Sequence, residues 1–375
     1  MKFIIAPDKF KGSLTGLQFC EIVEKSLKEV LPHSEILSLP LSDGGDGTID
    51  ILEYHLKGKR HKIKVSDPLF RKVEASYLYM DAISTAFIEM AEASGMALLS
   101  EQERNCYHTT SYGTGEIIVD AIKKGAQTII LGIGGSATND CGIGMAAALG
   151  YRFEDKKGNQ LIPVGRNLSL IQHINTTQVI PEVSSVKFKV ACDVTNPLFG
   201  KNGAAYVYGP QKGASEKEIV HLDEGLQHMS KLFKQELAKD IENVKGAGAA
   251  GGMGAGALVF LNTELQSGVD LVKQLIDFDK KIKQADWIIT GEGKLDNQTL
   301  SGKTIQGVLA SSKTEKIKVA AFCGSVELSS QDANKIGISY TDAVLSKAKS
   351  FEDAMRNTRL YLSMIAKKFA EEIRE

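Results

Sequence analysis

The sequence predicts an α/β protein of two domains. Residues 1–68 and 285–375 are expected to form a discontinuous Rossmann/flavodoxin-like parallel-sheet domain, and residues 69–284 an inserted α/β domain, with the active site in the cleft between them. Three observations lead there. Strand and helix patterns alternate twice over residues 1–57. From about residue 61 to 90 the pattern changes to alternating runs with few helix signals, and near residue 285 a strand-loop-helix rhythm returns. A length of 375 residues, at about 150 per domain, also suits two domains.

The elements follow in order. Residues 3–6 form a short β-rich run ended by Pro7 and Asp8. Residues 15–31 place Leu17, Ile22, Val23, Leu27 and Val30 at helical spacing and stop at Pro32. Residues 36–41 read as the next strand, and the stretch from Ser42 to Thr48 opens a helix through Ile49, Ile51, Leu52 and Leu56. Residues 62–65, 73–79 and 86–90 read as antiparallel strands. Residues 128–131 and 186–192 are further strands, followed by a helix over 215–241. Strands at 286–290, 317–322 and 340–345 then complete the first sheet, and residues 351–373 form a closing helix.

Composition excludes several classes of function. With 43% hydrophobic and 24% charged residues there is material for a core, which excludes disorder over most of the chain. The 45 basic and 46 acidic side chains leave no positive excess to hold a polyphosphate backbone, so nucleic acid is not an expected partner. The longest nearly uncharged apolar stretch, residues 247–261, is shorter than the roughly 20 residues a bilayer span needs, and no membrane association is expected. The apolar run at residues 3–6 is too short for a signal peptide, which points to the cytoplasm. Five dispersed cysteines without C-x-x-C suit reduced thiols, and seven histidines without H-x-x-x-H give no zinc site.

Ligands of an open parallel sheet collect outside the carboxyl ends of its strands, where backbone N–H groups favour anions. The unusual loops fall there. Gly132-Ile133-Gly134-Gly135-Ser136-Ala137-Thr138-Asn139-Asp140 reads as a phosphate loop or as a structural turn. It also fits G-x-G-x-x-A with Glu154 and Asp155 downstream, a dinucleotide fingerprint. In Pro7-Asp8-Lys9-Phe10-Lys11-Gly12-Ser13 the lysines can neutralise a phosphate or a carboxylate, unless they are solvated and Asp8 or Ser13 caps the helix. Asp43 and Asp46 suit a hydrated magnesium or a substrate hydroxyl, or act as caps. Glu292 and Asp296 can hold hydrated magnesium, and Lys303 can steady a phosphate. The triplet Gly302-Lys303-Thr304 is not a Walker A loop, because Asn297 stands where its glycine belongs. Asp193, after a strand and before Thr195-Asn196-Pro197, is a candidate general base or an Asx turn. The glycine-dense segments 200–213 and 246–256 have too little side-chain volume for a core and read as ligand-facing loops or a hinge.

Read together, Ala6 to Leu14, Asp43 to Thr48, Gly134 to Asp140, Ala191 to Leu198 and Thr290 to Lys303 resemble the bacterial type I glycerate kinases, in motif order and over nearly the whole chain. The resemblance implies ATP-dependent phosphorylation of glycerate, typically to 2-phosphoglycerate, on a two-domain α/β scaffold unlike P-loop kinases. On that basis the loop Gly134, Gly135, Ser136, Ala137, Thr138, Asn139 and Asp140 is expected to hold ATP phosphates with Lys303. Asp193, Glu292 and Asp296 are expected to meet Mg2+, with Asp193 as base and Asp8 and Lys9 beside it in catalysis. Lys9, Lys11 or Arg71 is expected to pair with the glycerate carboxylate, and Ser13 and Asp43 to complete substrate binding. A monomer or homodimer is expected. Phe70 and Lys72 stand where the family pattern has glycine and proline, Cys141 replaces a glycine and Ile305 a proline. The alternatives are an NAD(P)-dependent hydroxyacid dehydrogenase and a non-enzymatic two-domain binding protein for small acids.

Overall fold

A computed structural model describes residues 1–10, 12–45, 47–296 and 304–374. In chain order its strands are β1 (Lys2–Ile5), β2 (Glu35–Ser38), β3 (Lys59–Ser66), β4 (Lys72–Met80), β5 (Thr85–Glu89), β6 (Thr128–Gly132), β7 (Arg152–Glu154) and β8 (His173–Asn175). They continue as β9 (Lys187–Ala191), β10 (Leu265–Gln266), β11 (Trp287–Thr290), β12 (Lys294–Leu295), β13 (Lys318–Cys323), β14 (Ser325–Val326) and β15 (Tyr340–Ala343). The chain divides into two compact units. One holds Met1–Asp43, Asp50–His55 and Val269–Glu375, the other Gly44–Ile49 and Leu56–Gly268.

The first unit carries a five-stranded parallel sheet in the order β2-β1-β11-β13-β15. Counted within this sheet the order is 2-1-3-4-5, the flavodoxin-like order, and its topological switch point lies between β1 and β11. Phe3, Ile4, Ile5, Ile288 and Ile289 are fully buried, as two-sided coverage of a parallel sheet requires. The helix Gly16–Val30 begins at Thr15, which forms a capping box: Gln18 N donates to Thr15 Oγ1, and Thr15 N donates to the Gln18 side chain. Its Phe19, Val23 and Leu27 join Leu362, Ile365 and Phe369 of the helix Thr358–Arg374 in one core. The expected closing helix is two helices, Phe351–Arg356 and Thr358–Arg374, broken at Asn357, whose amide donates to Asp353 Oδ1 at 2.7 Å.

The second unit has a six-stranded sheet in the order β3-β4-β5-β6-β9-β10. β3 with β4 and β4 with β5 are antiparallel, and the other pairs are parallel. β3 pairs with β4 along its whole length, from Lys59↔Tyr79 to Ser66↔Lys72, so the crossing between units falls at Leu56 and not at residue 68. The return falls at Val269 and not at 285, because β10 still extends this sheet on β9 while Val269 packs on Gly307 of the first unit.

The glycine-dense stretch 246–256 is core, against expectation. The segment Ala249–Phe260, whose Ala250, Gly251 and Gly252 take a left-handed backbone at a kink before the continuous helix, buries Gly251, Gly252, Met253, Gly254, Ala255 and Gly256. Small residues serve here because backbone packs on backbone: a Cβ on Gly251 would stand 2.0 Å from Thr138 O, and one on Gly256 2.5 Å from Cys141 O. Phe70 (φ +62°) and Cys141 (φ +55°), where the resemblance led to an expectation of glycine, take the left-handed backbone that glycine adopts without strain. Ile305 lies in the first turn of the helix Thr304–Glu315, the position where proline is also accepted. Among the described residues no helix is long and apolar enough to cross a membrane.

The two kinds of glycine constraint separate by mutation. Gly158 (φ +81°) has nothing within 4 Å of a built Cβ, so Gly158→Ala is expected to cost only its backbone term, about 1 kcal/mol. Gly251→Ala meets both the left-handed φ and the Thr138 carbonyl, and is expected to cost about 3 kcal/mol or more. Urea unfolding of the two variants checks the ranking.

Candidate active site

In the second unit β6 ends at Gly132, and the chain turns through Asp140 before the helix Ile143–Ala148. Gly134 and Gly135 are exposed, and Gly135 takes φ +71°. Ser136 to Asp140 are buried behind them. Met96 N donates to Gly135 O at 2.9 Å, Ala137 N to Ser94 O at 2.8 Å and Thr109 Oγ1 to Ala137 O at 2.8 Å, which fixes the turn from within. The fully buried Asp140 carboxylate accepts from Ser111 N and Ser111 Oγ, each at 2.7 Å, and from Gly142 N and Gly144 N, each at 3.2 Å. Burial pushes its pKa up, and these donors pull it back. Lys212, also buried, donates from Nζ to Ser136 Oγ at 2.7 Å and to Thr138 O at 2.8 Å.

Other backbone segments of this unit close on the same strand ends. A Cβ on Gly132 would stand 2.6 Å from Gly44 O, and one on Gly134 3.5 Å from Gly45 Cα. One on Gly44 would stand 2.7 Å from Ala191 Cβ and 3.0 Å from Gly268 Cα. Glu89, at the end of β5, accepts from Ile49 N at 3.1 Å and holds the Gly44–Ile49 segment. Asp193 is exposed just past β9, and its Oδ1 accepts from Gly268 N at 3.1 Å. The carboxyl edge of β5, β6 and β9 is thus lined by close-packed backbone around an exposed amide turn, a surface suited to anionic oxygens.

In the first unit the ladder between β1 and β11 runs on past the strands. Thr290 Oγ1 donates to Ala6 O at 2.8 Å and Asp8 N to Gly291 O at 2.9 Å. Asp8 is buried; its Oδ1 accepts from Lys9 N at 2.7 Å and its Oδ2 from Thr304 Oγ1. Burial first, and the charge of Asp43 second, push the Asp8 carboxyl above its usual range. Glu292 is buried directly after Gly291, where a Cβ would stand 2.0 Å from Phe322 O. Asp296 pairs with Lys294 at 3.1 Å, and Lys294 also reaches Glu327 at 2.9 Å. Among the described residues no three His, Cys, Asp or Glu are grouped to hold a metal ion alone. Paired carboxylates such as Asp8 and Asp43 do suit Mg2+, which takes one or two carboxylates together with phosphate oxygens and water.

The model of the glycerate kinase family matches residues 3–374. This chain belongs to the glycerate kinase family. It is 42% identical over 367 residues to a glycerate kinase of Halalkalibacterium halodurans, covering 98% of this chain and 97% of that one. It is 41% identical over 356 residues to the glycerate 2-kinase of Escherichia coli K12, covering 95% and 93%. The crystal structure of a putative glycerate kinase 2 from Salmonella typhimurium LT2 superposes with a TM-score of 0.89 at 37% identity, covering 100% of this chain and 98% of that one.

In this glycerate kinase family member the expected site residues divide by position. Gly134 and Gly135 lie in the open and Ser136 borders them, whereas Ala137, Thr138, Asn139 and Asp140 are buried behind the turn. Asp140 acts there as an acceptor for backbone donors, a place a carboxylate can hold only away from an anionic ligand. Neither Asp8 nor Ser13 caps the first helix, since Thr15 does; the Ser13 hydroxyl donates to Phe10 O at 3.4 Å. Arg71 is held by Asp67 and Glu103, each at 2.6 Å, so its charge is already matched. Lys11, Asp46 and Lys303 lie outside the described residues. The dinucleotide fingerprint has no support in the geometry: the helix after the loop starts only at Ile143, and Glu154 ends β7, which pairs antiparallel with β8. Lys212 and Glu89 were not predicted as site residues, because one lysine in a glycine-rich loop and one glutamate at a strand end carry no pattern of their own.

Asp140→Ala strands four hydrogen-bond donors in the interior, three of them backbone N–H groups. It is expected to lower stability by about 3 kcal/mol or more, with Asp140→Asn intermediate. Guanidinium unfolding followed by circular dichroism measures both.

Proposed function

We propose that this protein transfers the γ-phosphoryl group of ATP to glycerate in a magnesium-dependent reaction in the cytoplasm, giving 2-phosphoglycerate and ADP. The observation that carries the reading is the exposed Gly134–Gly135 turn at the carboxyl edge of the parallel strands β5, β6 and β9, with Ser136 and the Lys212 ammonium behind it. The name of the Escherichia coli relative, glycerate 2-kinase, supports the choice of acceptor position.

Phosphoryl transfer passes through a loose transition state, so the protein contributes positioning and charge stabilisation. The N–H groups of Gly134 and Gly135 and the Ser136 hydroxyl bind phosphate oxygens. Asp193, exposed and held through one oxygen by Gly268 N, accepts the proton of the glycerate 2-hydroxyl as its oxygen bonds to the γ-phosphorus and the bridging bond to ADP breaks. Lys9 pairs with the glycerate carboxylate, while Arg71 is held by Asp67 and Glu103. Asp8, Asp43 and Glu292 are the carboxylates that meet magnesium and its waters. Bound Mg2+ neutralises charge on the β- and γ-phosphate oxygens.

Incubation with Mg-ATP and each glycerate enantiomer, followed by proton-coupled phosphorus NMR, tests the reading. Phosphorus on a secondary carbon couples to one proton, so 2-phosphoglycerate gives a doublet; a triplet would mean the 3-isomer, and no product from either enantiomer would sink the proposal. Asp193→Asn is expected to lower kcat by about 10²–10⁴-fold while nucleotide and glycerate still bind. Turnover near wild type would remove Asp193 from its role.

Asp8 gives a prediction of opposite sign for stability. Its folded pKa lies above the unfolded value, so its contribution is complete below the ordinary carboxylate pKa of 3.8 and is lost as pH rises through the folded value. At pH 7 the ionised group therefore costs stability. Asp8→Asn is expected to melt at or above the wild-type temperature and to turn over at least about 10²-fold more slowly. Calorimetry beside steady-state rates reads both, and a large loss of melting temperature would contradict the assignment.

A further inference from the structure

We propose that Lys212 is a positioning residue that makes Ser136 an outward-facing hydrogen-bond donor to nucleotide phosphate, so that nucleotide affinity depends on a buried proton some way from the ligand. The proposal rests on the phosphate-loop reading above. An ammonium group has donors and no acceptor. With Nζ 2.7 Å from Ser136 Oγ, it occupies a lone pair of the serine oxygen, and the serine proton must point away from the lysine. A second ammonium proton is taken by Thr138 O at 2.8 Å. Ser136 is largely buried but directly follows the exposed Gly135, and we take the direction left to its proton to be the open face of the turn. A neutral amine removes this constraint: its lone pair can accept the serine proton, which leaves an oxygen lone pair toward the phosphate.

The lysine has little freedom to move away. Its N donates to Gly209 O at 3.0 Å, and Cys106 N donates to its O at 3.0 Å. Gly213 follows with φ +83° and lies so close to the Arg104 carbonyl that a Cβ would stand 1.9 Å from it. The titratable groups that face the ammonium are Asp140 from the turn and Cys106 from the neighbouring segment, with Glu218 of the helix Glu216–Leu237 behind Cys106. Burial outweighs them and lowers the Lys212 pKa to about 8. A bound phosphate favours the charged lysine, so by linkage nucleotide binding takes up a proton where the free protein has partly lost it.

Titration calorimetry of Mg-ATP without glycerate, in two buffers of different ionisation enthalpy, tests this with the wild-type chain alone. Uptake of a fraction of a proton per nucleotide is expected at pH 8.5 and almost none at pH 6.5, with affinity falling between pH 7 and 9.5. Lys212→Met is expected to bind about tenfold or more weakly with no pH dependence, and Lys212→Arg to bind well with none. Absence of proton uptake in the wild type overturns the proposal whether or not Lys212→Met folds, and so does wild-type affinity in a folded Lys212→Met. Ser136→Ala and Gly134→Asp separate the two levels of inference. If both bind Mg-ATP like the wild type, the phosphate-loop reading fails; if they bind weakly and Lys212→Met does not, only the role of the lysine fails.

Discussion

A carboxylate with no access to water stands behind the turn that has to remain open. Asp140 gathers donors from Ser111 on one side and from Gly142 and Gly144 on the other, so a single anionic group ties two stretches of chain to the base of the loop. An unpaired buried charge costs several kcal/mol, and here hydrogen bonds supply the compensation. Lys212 enters the same interior with opposite sign and grips the loop through Ser136 and Thr138. Between these groups the exposed Gly134 and Gly135 need no side chains to hold their shape. The loop behind them is not fully satisfied: Thr138 Oγ1 and both polar atoms of the Asn139 side chain are buried without a hydrogen-bond partner among the described residues.

The first unit uses charge differently. Its flavodoxin-like strand order brings the chain out of β1 and β11 side by side, and the residues there include Asp8 and Glu292, with Asp43 near Asp8. Like charges in a partly desolvated place raise the cost of ionisation. Thr304 and the Lys9 amide offset part of that cost at Asp8 through hydrogen bonds, and the raised pKa measures what is left. An arrangement that destabilises the free protein in this way is one that a cation or a cationic group stabilises on binding.

Much of this was legible in the sequence, for identifiable reasons. The first helix start is written as Thr15-x-x-Gln18, a pattern whose mechanism is local, and the parallel order follows from strands that recur with helices between them. The exposed part of the loop was legible because glycine at a strand end has few other uses. Three features were not. The crossing at Leu56 depends on β3 pairing with β4, a contact that strand propensity alone does not assign to one sheet or the other. The burial of residues 246–256 was not legible because side-chain volume is a poor measure of a core where the backbone itself is the packing surface. Lys212 carries no signal at all, since a buried lysine and a solvated one are spelled alike.

Cys141 and Phe70 show what maintains the backbone once glycine is gone. A non-glycine residue in the left-handed region costs about 1–2 kcal/mol, yet both keep a positive φ. At Cys141 the reason is at hand. Its N–H donates to Gly251 O at 3.1 Å, its neighbour Asp140 is fixed by donors on both sides, and Gly142 meets Gly256 so closely that a Cβ would stand 3.1 Å from its Cα. Any relaxation of φ at residue 141 would break those contacts, whose combined worth exceeds the local strain. The path behind the Gly134–Gly135 turn is therefore set by its partners in the fold more than by the conformational freedom of the residue that occupies it. This explains how residue 141 carries a side chain while keeping a positive φ.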